Sequence, residues 1–199
     1  MNGLFAAATE IQDFLDQRGW QSTIIGGLAV IRWGEVRATR DVDVTLLADF
    51  GSEEGYIDIL LEHFSSRIDD ARNFALRNRV LLVTTPSGID VDISLGGIPY
   101  EQRLVARSTT FDFGTGRPLR TCTAEDLVIL KAFADRLRDW TDIEGILARS
   151  GDQLDTELII EELAVLAEAK EDPALVHRLE KMFASYRTRV SDPSTADRP

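Results

Sequence analysis

Cysteine is nearly missing from this sequence: Cys122 is the only one in 199 residues. An internal disulfide and a thiolate-rich zinc or iron–sulfur site are therefore excluded. Histidine is almost as scarce, with His63 and His177 far apart and in no metal-binding motif. Any bound metal must then be held mostly by oxygen, which favours a hard cation such as magnesium. No apolar run approaches the roughly 18 residues of a membrane span, and no membrane partner is expected. The segment from Met1 to Ala8 lacks the basic start and uninterrupted apolar stretch of a signal peptide, so a cytoplasmic location is the expectation. Lysine is limited to Lys131, Lys170 and Lys181 among 22 basic residues, and the formal net charge is -12. A surface of that sign repels a phosphate backbone on average and argues against broad nonspecific nucleic-acid binding. A local arginine patch at a cleft could still receive a nucleotide or the end of an RNA.

What is present is a folding composition, 44% hydrophobic and 28% charged, sufficient for one sizeable core, or for one core plus a modest helical appendage. Leu4, Ala7, Ala8, Ile11, Phe14 and Leu15 recur at helical intervals over residues 2 to about 18, with Gly19 as a stop. A β-rich stretch, Trp20 to Ile25, ends at Gly26-Gly27, and Leu28 to Trp33 reads as a short helix or turn. From Asp41 to Leu47 the pattern has period two: Asp41, Asp43 and Thr45 alternate with Val42, Val44 and Leu46, so one face is buried and the other is acidic. A helix follows at Tyr56 to Phe64. Two strands, Val80 to Thr84 and Ile89 to Leu95, are joined by the turn Thr85-Pro86-Ser87-Gly88. Beyond Thr123 the pattern is helical, with segments near 123 to 137, 139 to 149, 156 to 170 and 173 to 188. The expected fold is α+β: a small mixed sheet with flanking helices, followed by a helical C-terminal region. The expected division is a sheet-containing domain at 1–120, a helical domain at 121–190 and a flexible tail at 191–199.

The acidic strand is the chemically informative feature. Asp41 and Asp43 project to one side, where two carboxylates repel each other unless a cation or a donor network compensates them. An exposed strand can also carry acids merely for solvation. A second acidic strand, Ile89-Asp90-Val91-Asp92-Ile93, shifts the balance toward a metal. Three converging aspartates, the third being Asp90 or Asp92, could bind one or two magnesium ions that orient a triphosphate and activate a hydroxyl. Gly26-Gly27 permits a tight turn and a close phosphate approach, and the helix that follows offers unpaired N–H groups. Arg37 and Arg40 flank the loop into Asp41, where each could hold a phosphate or pair with a neighbouring acid. Thr39 reads as a loop-capping hydroxyl rather than a nucleophile.

Gly26-Gly27, followed by Arg37-x-Thr39-x-Asp41-x-Asp43 and an acidic strand at Asp92, resembles the DNA polymerase β-type nucleotidyltransferase superfamily. More narrowly, it is similar to the AbiEii/AbiGii nucleotidyltransferase-like toxins of bacterial abortive-infection and toxin–antitoxin systems. The resemblance spans roughly residues 20 to 150 and continues through Asp126 to Lys131 and Arg138 to Ile143. It implies an enzyme that transfers a nucleoside monophosphate from a nucleoside triphosphate to an acceptor, with Asp41, Asp43 and Asp92 as metal ligands. It further implies that Lys131 neutralises the triphosphate and that Asp139, or Asp142 in its place, positions Lys131 or the substrate. If Asp90 also faces inward it becomes a supporting group. The acceptor implied is a transfer RNA 3′ end, a small antibiotic-like molecule or a protein, and a cognate antitoxin is an implied partner. A noncatalytic nucleotide-binding or partner-regulating module is the competing reading. This sequence departs from the commoner superfamily pattern in carrying Gly27 where a serine often follows the first glycine, which removes one hydroxyl from the phosphate-binding turn.

Overall fold

The computed structural model describes residues 2–191; the tail expected to be flexible lies outside the described residues save for Ser191. Two compact units form. One holds the chain up to Arg32 together with Arg37–Thr123, and the other holds Trp33–Val36 and the chain from Ala124 onward.

The first unit is built on a mixed seven-stranded sheet. Its strands are β1 (Ser22–Ile24), β2 (Asp41–Leu47), β3 (Ser65–Ser66), β4 (Val80–Thr84), β5 (Asp90–Gly96), β6 (Thr109–Phe111) and β7 (Leu119–Thr121), in the order β3-β4-β5-β2-β1-β7-β6. Alternation explains the central position of β2: Val42, Val44 and Leu46 are buried, while Asp41 and Asp43 are only partly covered. It pairs in parallel with β5, placing Asp41 beside Asp90 and Asp43 beside Asp92, and antiparallel with β1. The same alternation buries Val91, Ile93 and Leu95 of β5 and Leu81 and Val83 of β4. Each such fully buried aliphatic side chain contributes about 1.5–3 kcal/mol relative to exposure.

Helix α1 (Asn2–Asp16) covers this apolar layer through Ala8, Ile11 and Leu15, and α3 (Glu53–His63) adds Ile57 and Leu60 to the same core. The short α2 (Gly26–Trp33) links β1 toward β2, beginning at the glycine pair rather than at Leu28. Two further helices, α4 (Ala71–Asn78) and α5 (Pro99–Arg107), and the strands β3, β6 and β7 add to the elements expected from the pattern. The Thr85-to-Gly88 turn closes the β4–β5 hairpin, with the Gly88 N–H donating to the Thr85 carbonyl at 2.8 Å.

The second unit contains α6 (Ala124–Ala134), α7 (Leu137–Ser150), a 3₁₀ turn (Gly151–Gln153), α8 (Thr156–Ala169) and α9 (Ala174–Ser191). Leu127, Ile143, Ile146, Leu147, Ile159, Leu163 and Leu179 are buried in it, as are Trp140 and Phe183. Asp155 caps α8, its side chain accepting from the Leu158 N–H at 3.0 Å. The four residues Trp33–Val36 pack within this unit: Arg149 donates to the Gly34 carbonyl at 3.0 Å and Ser150 to the Trp33 carbonyl at 3.2 Å. The sheet unit runs to Thr123. Among the described residues, no helix is long and apolar enough to cross a membrane.

Candidate active site

The exposed face of the β2–β5 pair carries the acidic residues. One carboxylate oxygen each from Asp41, Asp43 and Asp92 lies within 4.8 Å of the others. Parallel register produces this: Asp43 stands directly beside Asp92 on the neighbouring strand, and Asp41 lies two residues earlier on the same face. Asp90 is beside Asp41 but falls outside the converging group. Its Oδ1 accepts from the Thr84 hydroxyl at 3.0 Å, so it faces the hairpin instead.

Two of the three carboxylates are fixed by donors from the chain just before β2, one at the start of α2 and one in the loop that follows it. The Gly27 N–H donates to Asp43 Oδ2 at 3.3 Å, bringing the N-terminus of α2 against the acid. The positive end of a helix favours an anion there. The Thr39 hydroxyl donates to Asp41 Oδ1 at 3.0 Å, in keeping with the loop-capping role read from the sequence. The glycine pair is required by space as well as by the turn. Gly26 has φ +58°, and a Cβ at that position would fall 1.9 Å from Asp43 Oδ2. A Cβ at Gly27 would fall 2.3 Å from the Thr39 hydroxyl. The turn thus approaches the strand acids closely, and the volume that a serine side chain would occupy at position 27 is filled by Thr39.

The donor set fits a hard divalent cation. Three oxygen ligands converge with no sulfur or imidazole among them, and they are partly rather than fully buried, leaving room for water and phosphate oxygens in the remaining positions. Arg37 is half-buried and donates to the Ala38 carbonyl at 3.4 Å, whereas Arg40 is exposed.

Lys131, Asp139 and Asp142 form a separate cluster within the helical unit. The Lys131 ammonium lies 2.8 Å from Asp139 Oδ1 and 2.8 Å from Asp142 Oδ2, so the two aspartates hold the same cation rather than substituting for one another. All three side chains are nearly inaccessible, with Asp142 at 4% exposure. The apolar sequence around Lys131 therefore reflects burial of α6 with an internal ion cluster.

Arg67 is a residue the sequence pattern did not single out. It follows the two-residue β3, and its guanidinium pairs with Asp92 and lies 3.5 Å from Asp90. A strand this short has no periodicity to read, and only sheet order brings it beside the acids.

Residues 23–193 match the family described as nucleotidyl transferase AbiEii toxin, type IV toxin–antitoxin system. None of the curated proteins matches by sequence. Among solved structures, an antigenic nucleotidyltransferase-like protein from Paracoccidioides brasiliensis superposes with a TM-score of 0.56 at 17% identity, covering 88% of this chain and 92% of that one. ANT(2″)-Ia in complex with adenylyl-2″-tobramycin superposes with a TM-score of 0.52 at 17% identity, covering 83% of this chain and 99% of that one. At such identities these likenesses show the fold.

Proposed function

Because the chain belongs to the AbiEii nucleotidyltransferase toxin family and is a nucleotidyltransferase, we propose that it transfers a nucleoside monophosphate from a nucleoside triphosphate to the 3′ hydroxyl of an RNA, with transfer RNA as the leading acceptor. The observation that supports this most is the convergence of Asp41, Asp43 and Asp92 beside the N-terminus of α2. The acceptor oxygen forms a bond to the α-phosphorus, the bond between that phosphorus and the bridging oxygen breaks, and pyrophosphate leaves with the electron pair. The hydroxyl proton passes to a carboxylate or to water.

Asp41, Asp43 and Asp92 would hold magnesium, as one ion or two. Bound there, the metal supplies charge neutralisation on the triphosphate and acidifies the acceptor hydroxyl. The chain's own contribution is positioning and preorganised charge. Gly27 and Thr39 hold the carboxylates of Asp43 and Asp41 in place, so little reorganisation is needed on loading. Gly26 keeps the turn low enough for a phosphate to approach the N–H groups at the start of α2. Arg40, exposed beside Asp41, and Arg37 supply planar donors suited to phosphate. Within the helical unit, Lys131 is held by Asp139 and Asp142.

The family's place in toxin–antitoxin systems supports a cytoplasmic toxin restrained by a cognate antitoxin. The test is incubation of the purified protein with labelled triphosphates, magnesium and separate pools of RNA, protein and small-molecule acceptors. Label in the RNA pool, lost in Asp43→Asn, is the expected result; label only in the protein or small-molecule pool moves the acceptor, and no label in any pool favours a noncatalytic nucleotide-binding module.

A further inference from the structure

The edge of the sheet delivers a cation to the acidic face. Ser65 pairs with Thr84 and Ser66 with Val83, and the Arg67 N–H donates to the Leu82 carbonyl at 3.1 Å, so Arg67 continues this register opposite Leu82. Leu82 in turn stands beside Asp92, and Asp92 beside Asp43. One row across four chain segments therefore reads Arg67, Leu82, Asp92, Asp43, and cross-strand neighbours of a row share a face. The arginine is long enough to span Leu82. Its Nη1 donates to Asp92 Oδ1 and its Nε lies 3.5 Å from Asp90 Oδ2. The contact is partly desolvated, with Arg67 at 30% and Asp92 at 34% exposure.

We infer that Arg67 is a built-in counter-cation that competes with the divalent metal for Asp92, and so sets how tightly the site is loaded. The inference rests on the proposed reading of the aspartate triad as a metal site. Arg67 is a positioning residue, since it acts through Asp92. Without metal, the guanidinium offsets repulsion among Asp41, Asp43, Asp90 and Asp92 and keeps Asp92 in place. With metal, the same positive charge opposes the incoming dication, and an Asp92 oxygen engaged by an N–H has a lone pair fewer to offer. Both effects have one sign: removing the charge tightens metal binding and loosens the metal-free protein. A charge pair of +2 and +1 roughly 6 Å apart in a water-like dielectric corresponds to about a tenfold change in affinity.

The test is calorimetric titration of manganese into the nucleotide-free full-length protein, alongside thermal melts with and without manganese. Arg67→Gln is expected to bind manganese about tenfold more tightly than wild type, to melt lower without metal and to gain more melting temperature on loading. Arg67→Lys, which keeps the charge, is expected to stay within about threefold of wild type. Equal or weaker binding by Arg67→Gln overturns the inference, as does Arg67→Lys binding as tightly as Arg67→Gln. Binding by Arg67→Gln where wild type shows none supports it. Wild-type binding that survives Asp43→Asn, or no binding by any variant, overturns the metal reading itself.

Discussion

Gly26 and Asp43 occupy almost the same space: a Cβ on residue 26 would lie 1.9 Å from Asp43 Oδ2 and 2.8 Å from Asp43 Cβ. The turn before α2 and the first acidic strand are therefore one unit of structure, in which the backbone at a positive φ replaces a side chain to reach a carboxylate. Nucleotide transfer is expected to be sensitive to any disturbance of this fit.

Gly26→Ala is accordingly expected to displace Asp43 and to lower transfer by roughly 100-fold, the order expected when a catalytic group is misplaced by about 1 Å. The clash is with a partly exposed side chain and the left-handed φ adds strain of about 1 kcal/mol. A modest drop in melting temperature beside a large loss of rate is the expected pattern, read by thermal melts and a labelled-nucleotide assay.

A second pair, Gly27 and Thr39, predicts a compensating double mutant. A Cβ at position 27 would fall 2.3 Å from the Thr39 hydroxyl and 2.7 Å from its Cβ. Gly27→Ala should cost about 1–3 kcal/mol through overpacking. In a Thr39→Gly background the same change should cost much less, so that a double-mutant cycle by urea denaturation gives a favourable coupling energy. Additive effects would show that the two side chains do not share that space.

Lys131 is the cation between Asp139 and Asp142, and all three are nearly buried. Lys131→Met leaves two carboxylates without it and is expected to destabilise the helical unit by about 3–5 kcal/mol. Asp139→Asn should cost less, because Asp142 still holds the ammonium. Urea denaturation of each variant, compared with wild type, checks the order.

Glu53 carries the pH dependence that can be given a sign. Hydrogen bonds from its own backbone N–H, from the Arg79 guanidinium and from the Gly51 N–H hold its carboxyl below the ordinary carboxylate range. A carboxyl that is more acidic in the folded state stabilises above its unfolded pKa of about 4.3 and loses that contribution as pH falls through its folded value. Glu53→Gln is therefore expected to be less stable than wild type near neutrality, with the difference shrinking below about pH 4. Paired melts across that range measure it.

The parts of the fold that were legible in the sequence are those where one physical pattern dominates. Period-two alternation marked Asp41–Leu47 because Val42, Val44 and Leu46 all enter the core while the acids do not. Gly26-Gly27 stood out because close approach to Asp43 and Thr39 admits no side chain. The convergence of Asp92 with Asp41 and Asp43, by contrast, follows from β2 and β5 pairing in parallel although four elements separate them along the chain, and no local pattern encodes that register. Helix α4 was missed because its buried positions are Ala71 and Ala75, too small to give an apolar stripe. Helix α5 buries only Tyr100 and Leu104 among charged neighbours. Strand β6 is exposed throughout, and β3 has two residues, so neither shows alternation. Arg67 was invisible for the same reason. The membership of Trp33–Val36 in the helical unit depends on Arg149 and Ser150, more than a hundred residues later.

The most direct measurement supplies each of the four labelled nucleoside triphosphates in turn, with magnesium and total cellular RNA, to wild type and to Asp43→Asn. Wild type is expected to attach label from a preferred triphosphate to RNA 3′ ends with stoichiometric pyrophosphate release, while Asp43→Asn melts within a few degrees of wild type and transfers nothing detectable. Transfer that persists undiminished in Asp43→Asn would contradict a reaction centred on Asp41, Asp43 and Asp92.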